Sequence, residues 1–362
     1  MDFIPIVDSL GENWTLALGG GAVGLVFGFF AQRSRFCLRS AAIEFSRGSI
    51  AGKTAVWLIV FFAAVTGTAA LAFLGIINTL EARQIASPQS LSGAAVGGLM
   101  FGTGMILARG CASRLLVLAA TGNLRALMSG LVFAVVAQAS LYGFLSPARD
   151  DIAAVLSTVS TGGNDILDFI RMDMSTALAL TALALAISLA LSIWRGNGLW
   201  RTFAALAVGL TIPLAWWFTS EMVAISFTPV RMEAVTFTGP SADTLMLFLS
   251  PPGSMLNYDV GLVPGVFAGA FLAALFTREL KLQGFEGGKA MRRYLAGAAL
   301  MGFGGMLAGG CAVGAGVTGA SVFALTAWVT LFAIWLAAGI TDWIVDRGRD
   351  EVHTAAGVPA AN

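Results

Sequence analysis

The chain has 362 residues, 57% of them hydrophobic and only 11% charged, with a mean hydropathy of +0.83. A soluble domain carries about 25% charge to cover its surface, so a water-soluble globule is excluded, and a net charge of +1 gives no basic excess for nucleic acid. Three cysteines and one histidine, His353, exclude a haem held by two histidines, a four-cysteine iron–sulfur cluster and a paired disulfide framework, so neither cofactor nor metal is expected.

The first 14 residues, MDFIPIVDSLGENW, hold two Asp and one Glu but no Lys or Arg, and so lack the basic n-region of a secretory signal peptide. Uncharged apolar runs then predict nine membrane helices, over 16–31, 54–77, 93–108, 126–146, 174–194, 202–219, 260–277, 295–308 and 321–341. The runs just before the three cysteines are short, 16, 16 and 14 residues. At 1.5 Å per residue they reach about 21–24 Å, against a hydrocarbon core of about 30 Å. They are expected to stop inside the membrane as broken helices, which survive at that depth only when buried in protein or lining a wet cavity. Segment 149–173, with five Asp, reads as a solvated loop, and Glu44 and Asp342 at span ends read as surface residues. Segment 226–246, SFTPVRMEAVTFTGPSADTLM, is too apolar and hydroxyl-rich for an ordinary loop. It is either a re-entrant segment offering a helix N-terminus near Ser241 or an extracellular cap.

With the N-terminus outside, 17 of the 21 basic residues fall in inner segments and only Arg83, Arg149, Arg171 and Arg231 fall outside. The positive-inside rule therefore predicts an N-out, C-in protein of the plasma membrane.

The third and eighth spans match at an offset of 200 residues, GTGMILARGCA over GFGGMLAGGCA, with seven of 11 positions identical. The matched stretches cross in opposite directions, as an inverted duplication requires, and in transporters of that design the path lies where the halves meet. The expected fold is thus all-α and polytopic, with two inverted repeats of four spans around one odd span. The divisions expected are 1–147 (units around Cys37 and Cys111), 148–198 (outer loop and linker helix), 199–342 (the repeat holding Cys311) and 343–362 (cytoplasmic tail).

Each cysteine sits at a break. Gly110 and Gly310 immediately precede Cys111 and Cys311, and glycine lets the backbone turn and approach a ligand closely. The N–H groups at the start of the following helix favour an anion. A thiol adds a weak donor and a soft, polarizable acceptor. With Arg109 and Arg114 nearby, the substrate chemistry that fits is a small, soft anion, such as a sulfur oxyanion with an exposed sulfur atom. Cuprous ion suits thiolates too, but no Met-x-x-Met or His-rich acquisition segment accompanies them. No carboxylate marks a span centre, which argues against proton or sodium coupling.

On these three cysteine-centred motifs, ordered from Gly19 to about Asp346, the sequence resembles the YeeE/YedE sulfur-transport family of bacterial inner-membrane proteins. The resemblance implies a thiosulfate uptake permease, not an enzyme, shaped as an hourglass whose broken helices converge at a waist. It implies that Cys37, Cys111 and Cys311 pass the anion inward through weak S–H contacts, and that a small cytosolic sulfur carrier of the TusA type is a possible partner, not fused to this chain. Arg109 standing where the eighth span has Gly309, and segment 226–246, depart from the pattern and bear on which anion is accepted. Two other classes are open to the residues themselves: a membrane thiol oxidoreductase using Cys111 and Cys311, and an inert structural subunit of a membrane complex.

Overall fold

The computed structural model describes residues 4–159, 162–226, 230–251, 256–285 and 287–347. The expected tail from 348 onward, with His353, and residues 227–229 of segment 226–246 lie outside them. Among the described residues the chain is helix and connecting segment without a strand, and nine helical stretches are long and apolar enough to cross a membrane.

In chain order the first unit is α1 (Glu12–Ser34), α2 (Leu38–Ser46) and α3 (Gly52–Phe73). The second is α4 (Leu91–Leu107), α5 (Ala112–Ala120) and α6 (Leu124–Tyr142). Then come the odd helix α7 (Met174–Trp194), and α8 (Leu199–Ile225), α9 (Thr238–Leu249) and α10 (Tyr258–Phe276). The last unit is α11 (Gly288–Leu307), a π-helical segment (Ala312–Thr318) and α12 (Leu325–Asp342). Breaks fall before each cysteine as expected, but the helices leading into them are not uniformly short: α1 has 23 residues, α4 17 and α11 20. Counting only uncharged residues cut off Glu12 and Arg33 on α1 and Lys289, Arg292 and Arg293 on α11. Long basic side chains lay their stems along apolar surface and keep their charge at the membrane edge, so charge at a helix end does not end the helix.

Packing is by long helix pairs, parallel for α1 with α10, α3 with α8 and α4 with α12, and antiparallel for α4 with α11. α1 packs on α10 and α8 on α3; α4 packs on α12 and α11 on α6; α4 also packs on α11, and α1 on α8. The short elements follow: α2 rests on α3 and α12, and α9 on α10 and α6. Likewise α5 rests on α6 and α10, and the π segment on α12 and α3. α4 and α11 meet at glycine, where a Cβ on Gly104 would stand 2.5 Å from the Gly297 carbonyl oxygen and one on Gly297 2.6 Å from that of Gly104. In lipid, where burial of apolar surface supplies no force between helices, such close backbone approach is what holds them together. α7 buries only Ala177, Ser188 and Ser192 and packs chiefly on α3, a peripheral helix facing lipid.

Three loop expectations change. Segment 149–173 is not freely solvated: Thr158 and Asn164 are buried, the Thr158 N–H donates to the Gln89 carbonyl (2.9 Å), and the Asn164 amide donates to the Thr326 hydroxyl (3.0 Å). Asp342 is 1% exposed and is held by Arg47 at 2.9 Å, while Glu44 accepts from the Thr54 N–H (2.7 Å) and hydroxyl (2.8 Å) at the start of α3. Residues 230–237 run without regular structure into the protein: Met232, Ala234, Val235 and Phe237 are buried, and the Thr318 hydroxyl donates to the Val235 carbonyl at 2.6 Å. Of the two readings of 226–246, the described part takes the re-entrant one, with its helix starting at Thr238 rather than near Ser241.

Candidate functional site

The three breaks are built alike. Two residues before each cysteine the backbone is left-handed, at Arg35 (φ 54°), Arg109 (φ 56°) and Gly309 (φ 76°). After α4 the Gly110 N–H donates back to the Met105 carbonyl (3.1 Å), and after α11 the Gly310 N–H donates to Gly305 (2.8 Å). These are the six-to-one bonds of a Schellman termination. Each cysteine then stands in the N-cap position of the next short helix. This shared turn is legible in sequence only at Gly309, because arginine rarely adopts positive φ. Arg109→Gly should leave the thermal midpoint in detergent nearly unchanged. Arg109→Val should destabilise by about 2 kcal/mol, since a β-branched residue is an outlier there.

The structure brings Cys37, Cys111 and Arg114 together. The two free thiols lie within hydrogen-bonding reach of each other, the Arg114 guanidinium lies beside both, and the Ser40 backbone and hydroxyl reach Cys37. The Cys111 Sγ is 3.4 Å from the Ser113 hydroxyl. Arg114 donates to the Gln32 carbonyl oxygen at 3.4 Å, while the Gln32 amide donates to Glu279 at 2.9 Å. Gln32 therefore stands between the cation and Glu279, so the guanidinium is not directly ion-paired with that carboxylate. A Gln directly after the apolar run 16–31, ahead of Arg33, was the available signal for this role.

Arg109 points elsewhere, its guanidinium 6.0 Å from the Tyr294 ring centre on α11. Gly110 packs against Leu115, where a Cβ would be 3.2 Å from its side chain.

Cys311 keeps different company. Its Sγ accepts from the Gly314 N–H at 3.4 Å and lies against the Thr238 hydroxyl and the Phe237 backbone. Gly310 and Gly314 form part of the wall of a cavity of about 260 Å³, with Thr236, Thr238 and Thr318 as its hydroxyls and Arg83 and Arg231 as cations. Room of this size exceeds what a small oxyanion needs. The Arg83 guanidinium donates to the Gly309 carbonyl at 3.2 Å. A wider hollow of about 660 Å³ shares Arg83 and Arg231 and opens beside it. Burial raises the carboxyls of Glu233 and Asp243 in the cavity wall above their ordinary range, against the opposing pull of Arg231 on both and of Arg83 on Glu233.

Buried aromatic rings accompany these two groups of residues. Phe27 meets Phe237 at 5.2 Å between ring centres, and a Cβ on Gly305 would find the Thr238 hydroxyl at 2.9 Å and the Phe101 ring at 3.4 Å. Phe27 and Phe101 precede Cys37 and Cys111 by ten residues each, about 15 Å along a helix. The rings thus belong to the Cys311 end, about 15 Å from the Cys37–Cys111 pair. Nothing in the sequence distinguishes these three among 25 phenylalanines.

Comparison with known proteins places this geometry. A family model described as Sulphur transport matches residues 33–340. The protein from Escherichia coli (strain K12) named thiosulfate transporter TsuA is 26% identical over 359 aligned residues, covering 92% of this chain and 95% of that protein. The protein of the same name from Spirochaeta thermophila is 25% identical over 347, covering 92% and 99%.

Proposed function

The chain belongs to the sulphur transport family, a family of transporters and not of enzymes, and we propose that it imports thiosulfate, or a closely similar sulfur-containing anion, across a bacterial inner membrane. The observation that carries this reading is Arg114, a cation beside two thiols and held apart from Glu279 by Gln32, which hydrogen-bonds to both. A soft anion finds there both a charge and sulfur partners. The cavity at Cys311, with its threonine hydroxyls and Arg83 and Arg231, is the entry station. The path then runs past Phe27, Phe101 and Phe237 to Cys111, Cys37 and Arg114. Gly310 shapes the entry wall and Gly110 the inner turn; Arg109 contributes through its packing on Tyr294. The two relatives named as thiosulfate transporters support this choice of anion.

An inverted duplication accounts for the helix pairing. Exchanging α1, α2, α3, α4, α5 and α6 for α8, α9, α10, α11, the π segment and α12 turns each long and short contact described above into another of the same set. On this reading 1–147 and 199–342 are the repeats, 148–198 joins them, and 343–362 is the inner tail. In the third unit, Phe237 and Thr238 at the start of α9 occupy the slot that cysteines fill in the other three. The basic residues concentrated around the Cys37–Cys111 end make that end cytoplasmic. A TusA-like sulfur carrier would collect the product there.

The test is growth of a sulfur-auxotrophic host on thiosulfate, with uptake of labelled thiosulfate competed by thiosulfate, sulfate, sulfite and selenite. Rescue, with thiosulfate the strongest competitor, is expected; no rescue by the intact gene counts against the proposal. Arg114→Met should lower uptake by about tenfold to a hundredfold, the worth of a charge-assisted hydrogen bond of ~1.5–3 kcal/mol. Arg114→Lys should restore part of it, since the ammonium keeps the charge but not the planar fork.

A further inference from the structure

A dianion entering against an inside-negative potential is held back by about three decades of concentration per 100 mV. A permease of the kind proposed above therefore accumulates its anion only if cations travel with it. The entry cavity holds groups suited to that. Asp259, in the first turn of α10, lines it together with Glu233 and Asp243. The Asp259 Oδ1 is sealed from solvent and has no hydrogen-bond partner among the described residues, and its other oxygen lies near the start of α9, 3.8 Å from where a Cβ on Gly239 would be. A buried acceptor in that state is completed by a proton or a cation. Among the described residues no three acidic, cysteine or histidine groups converge closely enough to hold a metal ion, which favours the proton.

The surrounding elements present three cations, Arg83, Arg149 and Arg231, and two phenols, Tyr142 and Tyr258. Arg149 is paired with Asp150 at 2.6 Å, and Arg83 is engaged with the Gly309 carbonyl, so neither is committed to Asp259. Three ionised carboxylates around an entry cavity would repel an incoming dianion, whereas protonated ones leave the arginines to attract it.

We propose that Asp259, with Glu233 beside it in the cavity wall, is the proton-loading site of a proton–anion symporter. Two protons bound from the outside are released inside with one dianion, so no net charge crosses. This inference rests on the transport reading above and adds the coupling ion. Burial raises the Glu233 carboxyl above its ordinary range, the direction that favours holding a proton there.

The test uses the purified full-length chain in liposomes, the potential clamped with potassium and valinomycin, with labelled thiosulfate entry and external pH recorded together. Entry should make a weakly buffered medium more alkaline, by two protons per anion. One pH unit, acid outside, should raise the equilibrium inside-to-outside ratio by up to about a hundredfold at zero potential. In Asp259→Asn, and separately in Glu233→Gln, the ratio of protons to anions should fall whatever the residual rate. Wild-type entry without alkalinisation, or an unchanged ratio in both variants, overturns the coupling alone. If the wild-type protein shows no thiosulfate exchange between the two sides, the transport reading fails and the coupling falls with it.

Discussion

A chain carrying both Cys111→Ala and Cys311→Ala is expected to reach the membrane in wild-type amount yet leave a sulfur-auxotrophic host unable to grow on thiosulfate, with uptake reduced about a hundredfold. Both side chains are 1% exposed, so each lies where an anion has already shed water. Hydrogen bonds to a charged acceptor contribute ~1.5–3 kcal/mol, and a methyl group offers neither donor nor polarizable sulfur in their place. The fold should survive: replacing sulfur by hydrogen at two buried sites costs about 1 kcal/mol each, far less than the shared helix packing contributes. Cys37→Ala should be milder, because Cys111 and Arg114 stay in place at the same station. Undiminished growth of the double variant, at equal protein amount, would sink the idea that thiols carry the anion.

Gly265→Leu is expected to abolish folded protein altogether. On the shared face of α1 and α10 the backbones nearly touch: a Cβ at Gly265 would lie 2.9 Å from the Gly21 Cα, and one at Gly269 2.9 Å from the Leu25 Cα. The opposing atoms are main chain, so no rotamer change relieves the clash and the helices must part. Overpacking of even an adaptable core costs about 1–3 kcal/mol, and here the separation would also strip the adjoining glycine contacts, so a loss above about 3 kcal/mol follows. Gly130 on α6 provides the control, because a Cβ there meets nothing within 4 Å. Gly130→Leu should be neutral or stabilising by up to about 0.8 kcal/mol through helix propensity. Size-exclusion profiles of the two variants in mild detergent distinguish the cases, and a monodisperse Gly265→Leu peak with an unchanged thermal midpoint would refute the argument.

How far the linear chain reveals its own fold depends on the range of the physics involved. Nine spans and the breaks before Cys37, Cys111 and Cys311 are readable because apolar run length and Gly–Cys punctuation are local. The lengths of α1 and α11 were underestimated because charge at a helix end is tolerated through snorkelling, which depends on where the membrane edge falls. Asp342 was misassigned to the surface because its partner, Arg47, lies 295 residues earlier. Segment 149–173 was misassigned for the same reason, its anchors being Gln89 and Thr326.

The site divides in the same way. Composition and motif determined by themselves that this is a polytopic helical membrane protein with three thiols at helix breaks, since an apolar run of membrane length and a helix terminator act within a few residues. Tertiary structure alone decided that Cys37 joins Cys111 and Arg114, that Gln32 separates Arg114 from Glu279, and that Cys311 faces Thr238. It alone set Asp259 in the same cavity wall as Glu233 and Arg83. Each of these relations joins residues far apart in the chain, and side chains meet there only because glycine-lined helices approach to backbone contact.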